Sequence, residues 1–183
     1  MRRDTGDLDE SFAAFVREQG GRHLRVAVLL TGNWHSAEDL VQASLVKLYR
    51  AWPRLDTSSD PDAYLRRIMV NTHRSWWRAR WRRETPIADR HETASGEDLA
   101  NRYAVGALVR QALTRLPRQQ RAVLVLRYFE DLPETEVARL LGCSSGSVKT
   151  HAHRGLRTLR ELLGDEWPRS VVNQTPDRER DRR

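Results

Sequence analysis

The sequence predicts an all-α protein made of two small helical domains that a flexible linker joins. Apolar residues recur at steps of three and four over most of the chain, which is the spacing of one helix face. No stretch of useful length alternates apolar and polar residues as a strand does. Between residues 84 and 101 the helical spacing stops, and the composition changes to five acids with one Arg, which separates the two helical stretches.

The first domain is predicted over residues 8–83. Helical spacing begins at Phe12 and continues to Leu29, and a second helix follows, with Ser36 as its predicted N-cap. Pro53 ends that helix, residues 54–60 form a polar loop, and Pro61 opens a third helix that continues to about Arg83. The residues of this third helix that we expect in the core are Tyr64, Leu65, Ile68, Met69 and Thr72.

The second domain is predicted over residues 102–164, after a linker at 84–101 and before a mixed-charge tail at 165–183 that we expect to be disordered. Within it, residues 132–159 have the layout of a helix-turn-helix. Pro133 opens the first helix, Ala138 is small where the helices approach, and Gly142 supplies a left-handed residue that ends this helix. Val148 then anchors the second helix, which Ser144 or Ser145 can cap.

Charge and composition favour a polyanionic partner without identifying it. The formal net charge of +7 attracts nucleic acid or an anionic membrane surface, and Arg outnumbers Lys by 30 to 2. A coding bias toward GC-rich codons would explain the Arg excess equally well. Residues 26–30 are the longest strongly apolar stretch and are far short of the roughly 20 residues that a membrane-spanning helix needs.

Two surfaces have the residue types of a nucleic-acid interface. In the third helix Trp76, Trp77 and Trp81 alternate with Arg, a combination that can stack on unpaired bases and neutralise phosphate, although Trp77 and Trp81 also have the spacing of core residues. The second helix of the helix-turn-helix exposes polar and basic residues suited to a major groove, although an ordinary helical hairpin with a solvated basic face has the same pattern. The residues on this side are Ser147, Lys149, Thr150, His153, Arg154 and Arg157.

Together with residues 37–52, which read AEDLVQASLVKLYRAW, these motifs resemble the extracytoplasmic-function (ECF) class of sigma factors. The resemblance covers roughly residues 10–163 and implies core RNA polymerase and promoter DNA as partners. The DLVQ helix of that family docks on polymerase, which implies Asp39 and Gln42 here. Ala43 lies where related factors often have an acid, so the resemblance implies that the charge contribution to docking is weaker here or comes from Glu38. The segment around Trp76 and Trp77 is similar to the SigE-like subgroup of actinobacteria.

The resemblance also implies two DNA-binding sites. The upstream domain of such factors melts the minus-ten element and captures a flipped base in the loop that corresponds to residues 54–60. The motif after this loop usually has an Asn and, four residues later, an Asp. Asn71 matches the Asn, but Ser75 stands in place of the Asp. The helix-turn-helix reads the minus-thirty-five element. The residues implied at the minus-ten element are Asp56, Asn71, Arg74, Trp76, Arg78 and Arg80. An anti-sigma factor is a further partner common in that family.

Other classes of function have weaker support. Cys143, His151 and His153 are close in sequence, but two His residues two apart on a helix point in different directions, so we predict no metal site and no cofactor. No catalytic motif, small-molecule substrate or phosphate loop is indicated, so we predict no enzyme. The single Cys143 and the polar start of the chain predict a cytoplasmic protein without membrane insertion. The alternative is a conventional helix-turn-helix regulator that binds duplex DNA without polymerase.

Overall fold

The computed structural model describes residues 5–55, 59–83 and 107–164, and over these residues it confirms the all-α prediction. The first half contains α1 (Thr5–Thr31), α2 (Trp34–Ala51) with a 3-10 turn at Trp52–Arg54, and α3 (Pro61–Arg83). The linker and the tail predicted from the sequence, at 84–101 and 165–183, lie outside the described residues, as does Asp56.

Over residues 107–164 the second half contains four helices. They are α4 (Ala107–Thr114), α5 (Arg118–Leu124) with a π-helical turn at Val125–Phe129, α6 (Glu134–Leu141) and α7 (Ser145–Leu163). Helices α6 and α7 form the helix-turn-helix that the sequence predicts. None of the helices in the described parts of the chain is long and apolar enough to cross a membrane.

Helix α1 contributes to two hydrophobic cores. Ala27 and Val28 pack into the core of the first half, together with Leu40, Leu48 and Met69. Neighbouring residues on another side of α1 pack into the core of the second half, together with residues of α4 to α7. The first-half residues in this second core are Val26, Leu29, Leu30 and Val70. The two halves therefore share apolar contacts over the described residues.

The start of α2 corrects the predicted N-cap. Asn33, not Ser36, is the N-cap residue, and its side-chain oxygen accepts a hydrogen bond of 2.8 Å from the backbone amide of Ser36. Both residue types can cap a helix. Trp34, the first residue of the helix, packs against the core of the first half.

The inner side of α3 also differs from the prediction. Leu65, Met69 and Thr72 are buried as expected, but Tyr64 is 37% exposed, so its predicted core position is wrong. Arg66 is buried instead, at 9% exposure. Arg66 donates hydrogen bonds to the carboxylates of Asp62 and Glu130, which explains how a charged group can occupy this position.

The turn of the helix-turn-helix follows the predicted geometry. Gly142 has φ 62 and ψ 44, so it is left-handed and ends α6. The hydroxyl of Ser144 accepts a hydrogen bond of 3.1 Å from the amide of Ser147 and thereby caps α7. Val148 is fully buried. At Gly155 a Cβ atom would come within 3.0 Å of Leu124, so α5 and α7 approach closely at this position.

Candidate docking face and nucleic-acid interface

Helix α2 has one buried and one exposed side. Leu40, Ser44 and Leu48 are fully buried, whereas Glu38, Asp39 and Gln42 are exposed. We call these three exposed residues the docking face. The side chain of Asp39 is 55% exposed, and its one recorded ionic neighbour is Nε2 of His35, on the preceding turn, at 3.7 Å. The carboxylate is therefore available to a partner.

Two apolar residues extend this exposed side, and the sequence analysis did not identify them. Val46 is 52% exposed and Tyr49 is 47% exposed. The phenol of Tyr49 donates a hydrogen bond of 2.6 Å to Asp9 of α1, which raises the pKa of Tyr49. Because residues 42, 46 and 49 are four and three apart, they lie along one side of α2. This spacing places Val46 and Tyr49 on the side of α2 that does not face the core, and it could have identified them from the sequence.

Helix α7 presents its predicted readers to solvent. Lys149, Thr150, His153, Arg154 and Arg157 are exposed, whereas Ser147 is half-buried. The hydroxyls of Ser147 and Ser144 share a hydrogen bond of 2.9 Å within the cap. A row of basic and hydroxyl groups on one side of a rigid helix can contact both phosphates and base edges.

Lys149 has an intramolecular ionic neighbour. Its Nζ lies 3.9 Å from Oε2 of Glu134, whose other oxygen lies 3.8 Å from Arg127. The Lys149 side chain is 60% exposed, so this ion pair is worth little in water. A phosphate can replace the carboxylate at small cost.

The residues of α3 that are predicted to contact the minus-ten element differ in their exposure. Asn71, Trp76 and Arg78 are exposed, but Arg74 is half-buried, and its Nη1 donates a hydrogen bond of 3.0 Å to the backbone oxygen of Leu140 in α6. For Arg80 the structure describes the helical backbone only. The exposed surface of α3 is thus smaller than the sequence predicts, because Arg74 binds the helix-turn-helix.

A cleft of about 200 Å³ lies beside Arg74, between α3, α5 and the turn before α7. Burial, together with the smaller effects of the nearby charges of Arg118 and Arg121, lowers the pKa of His73 in its wall from 6.5 to about 4. His73 is therefore neutral at pH 7. Trp77, for which the sequence allowed a core or interface position, also lines this cleft, as do Cys143 and His151.

A cluster of four charged side chains joins the two halves and was missed by the sequence analysis. Glu130 follows the π-helical turn, and its Oε2 lies 2.6 Å from Nε of Arg66 and 3.1 Å from Nη2 of Arg22. Asp62 lies 2.6 Å from Arg66 and 3.0 Å from Arg22. We call these four residues the interdomain ion cluster. Because Glu130 and Arg66 are 64 positions apart, no local sequence signal could have paired them.

His23 lies against this cluster and is 1% exposed. Its Nε2 is 3.0 Å from Oδ1 of Asp62. Burial lowers the pKa of His23, although Asp62 and Glu130 act in the opposite direction. Within residues 5–55, 59–83 and 107–164, no group of three or more His, Cys, Asp or Glu side chains could hold a metal ion.

Comparison with known proteins finds two family models on this chain. Sigma-70 region 2 matches residues 15–83, and sigma-70 region 4 matches residues 107–159. The chain is 40% identical over 152 residues to the RNA polymerase sigma-E factor of Streptomyces avermitilis, which covers 83% of this chain and 84% of that protein. It is 33% identical over 149 residues to the ECF RNA polymerase sigma factor SigL of Mycobacterium tuberculosis, covering 76% and 81% respectively.

The fold is also similar to that of a solved structure. The sigma factor RpoE of Bartonella quintana, in complex with the anti-sigma factor NepR, superposes with a TM-score of 0.62 at 24% sequence identity. The match covers 84% of this chain and 97% of that one.

Proposed function

The chain belongs to the sigma-70 family, in its ECF group of sigma factors, and on that premise we propose which of its surfaces bind core RNA polymerase and promoter DNA. The function is to bind core polymerase and to direct promoter-specific initiation of transcription. The observation that carries this conclusion is the presence of both region 2 and region 4 on one chain. A conventional regulator would need only a helix-turn-helix, so the match of region 2 to the first half favours the sigma factor.

We propose that the docking face of α2 binds core polymerase. Asp39 and Gln42 are exposed on a rigid helix, and Glu38 adds a second carboxylate beside them. Exposed charge on a preformed helix favours rapid and specific association with a complementary surface. Val46 and Tyr49 supply apolar area next to these polar groups, as is usual in protein interfaces.

The DNA contacts are assigned to two helices. On α3, Trp76 can stack on an unpaired base while Asn71 and Arg78 bind polar groups of the melted minus-ten element. On α7, Lys149, Thr150, His153 and Arg154 face the minus-thirty-five element, where some fix the register on phosphates and others read bases. Docking on polymerase raises the effective concentration of both helices near their sites, so each contact can be weak alone.

The domain limits of 8–83 and 102–164, with a linker at 84–101, remain predictions. We propose that the protein acts in the cytoplasm, because polymerase and promoter DNA are there, and that it initiates transcription without enzymatic turnover of its own. We also propose an anti-sigma factor as a regulator, since the structurally similar RpoE was solved with one.

Run-off transcription tests this function. Purified core polymerase from a related bacterium is incubated with and without the protein on fragments from upstream of genes in the same genome. Discrete transcripts that depend on the protein are the expected result. Sequence-specific duplex binding without polymerase binding or transcripts would instead support the conventional regulator.

Lys149→Ala is expected to weaken promoter binding and to flatten the salt dependence of log K by about one unit, because one phosphate contact is lost. Affinity of the polymerase complex for promoter DNA is measured between 50 and 200 mM salt, conditions in which each phosphate contact contributes about one unit of slope. Arg139→Ala is a control, since Arg139 is an exposed cation on α6 that is not among the predicted readers. An altered base preference at constant slope would make Lys149 a base reader.

A further inference from the structure

The cleft beside Arg74 has a positively charged wall. Arg74, Arg78 and Arg118 line it, and among the described residues no Asp or Glu does. The charges of Arg118 and Arg121 contribute to the lowered pKa of His73 in the same wall, so their field reaches the cleft. A cleft in which charge of one sign predominates attracts a ligand of the opposite sign. The wall therefore favours an anion.

Arg74 is the cation best placed to bind such an anion. It is half-buried, and its Nη1 donates to the backbone oxygen of Leu140, a neutral group that does not cancel the charge. A guanidinium has five N–H donors, so further donors remain for a ligand. A Cβ atom at Gly142 would come within 3.0 Å of Nη2, so the glycine provides the space that this guanidinium occupies. Its planar fork matches the two oxygens of a carboxylate.

The rest of the cleft is largely apolar and suits a small ring. Trp77 of α3, Ala122 and Val123 of α5 and Leu141 of α6 line it. Apolar walls with a few polar groups are typical of small-molecule sites. The volume is about 200 Å³, whereas an apolar cavity of about 150 Å³ holds benzene and sites for drug-sized ligands start near 300 Å³. One aromatic ring with one acidic group therefore fits.

We propose that this cleft binds a monocyclic aromatic carboxylate, with the carboxylate on the guanidinium of Arg74 and the ring against Trp77. Aromatic rings prefer offset or edge-to-face contact, which the indole of Trp77 can offer to the ligand. The neutral imidazole of His73 lines the same wall and supplies a further polar group. The site goes beyond the proposed function, because binding requires neither polymerase nor DNA.

Isothermal titration calorimetry of the full-length protein with benzoate tests the site. Saturable binding is expected with one site per chain and a Kd of about 0.1 to 1 mM, as befits a ligand of so few atoms. Two matched compounds separate the two parts of the ligand. Benzyl alcohol keeps the ring without the charge, and acetate keeps the carboxylate without the ring. Each should bind at least about tenfold more weakly than benzoate, because each loses one of the two sets of contacts.

Two pairs of variants locate the site. Gln119 lines the cleft at an exposed position of α5, so Gln119→Glu places a carboxylate in the wall with little change of shape. Its control Gln111→Glu makes the same change of charge at an exposed position of α4 that does not line the cleft. Arg74→Gln removes the proposed cation, and Arg67→Gln removes an exposed cation of α3 outside the lining. Gln119→Glu and Arg74→Gln should each weaken benzoate binding at least about tenfold, and the two controls should leave it unchanged.

Several results would overturn the proposal. One is the absence of saturable benzoate binding up to about 10 mM, well above the expected Kd. Equal losses in Gln119→Glu and Gln111→Glu would mean that benzoate responds to net charge, and acetate or benzyl alcohol binding as tightly as benzoate would remove the ring or the charge from the site. Circular dichroism checks the fold, and Gln119→Glu still tests the cleft if Arg74→Gln loses helical content. The run-off assay is independent of these measurements, so failure of the proposed function is distinguishable from failure of this site.

Discussion

Asp39→Arg is expected to abolish promoter-specific transcription and to weaken binding to core polymerase about 100-fold or more. The substitution reverses a charge on the docking face, and a like charge placed opposite a complementary surface costs several kcal/mol. The fold should be retained, because the Asp39 side chain is 55% exposed and its recorded ionic contact is with His35, on the preceding turn of the same helix. The affinity for core polymerase is measured with the purified labelled protein.

The matched control is Glu18→Arg, which makes the same change of net charge at an exposed position of α1. It should leave polymerase affinity nearly unchanged, and both variants should have unaltered helical content. Equal losses in the two variants would mean that polymerase responds to total charge, not to the docking face. Full binding by Asp39→Arg would refute the assignment of Asp39.

Features fixed by neighbouring residues could be predicted from the sequence. Pro61 opens α3, Gly142 ends α6 in a left-handed conformation, and Val148 is buried in the helix-turn-helix. Each depends on the backbone preference or apolarity of a single residue at a defined spacing. The exposure of Asp39 follows similarly from its position relative to Leu40 and Leu48.

Features fixed by distant residues could not be predicted. The burial of Arg66 depends on Glu130, which is 64 positions away, and the partial burial of Arg74 depends on a backbone oxygen of Leu140. Hydrophobic periodicity contains no information on such pairs, so it placed Tyr64 in the core and left the arginines of α3 exposed. The difference concerns function directly, because the structure removes Arg74 from the predicted DNA surface.

These contacts give the arginines of α3 two different roles. Arg66 is compensated by two carboxylates and stabilises the contact between the halves. Trp76 and Arg78, two and four residues further along the helix than Arg74, stay exposed. The predicted minus-ten residues of α3 that are exposed in this structure are therefore Asn71, Trp76 and Arg78.

The stability of the protein is expected to fall by about 2 kcal/mol between pH 7 and pH 5 because of His73 alone. The pKa of His73 is lowered from 6.5 to about 4 by burial and by Arg118 and Arg121, so the folded state disfavours the protonated form. A folded pKa below the unfolded value contributes stability that is present above pH 6.5 and is lost as the pH falls toward 4. Other groups around the same cleft are Arg74, Arg78, Cys143 and His151.

Urea denaturation of the unmodified protein and of His73→Gln at pH 7, 6 and 5 measures this effect. The Gln side chain cannot titrate. The unfolding free energy of the unmodified protein should therefore fall by about 2 kcal/mol relative to that of His73→Gln as the pH falls from 7 to 5. Burial also lowers the pKa of His23, which acts in the same direction, but it is present in both proteins and cancels in the comparison. A difference that stays constant with pH would show that His73 is not buried as a neutral group.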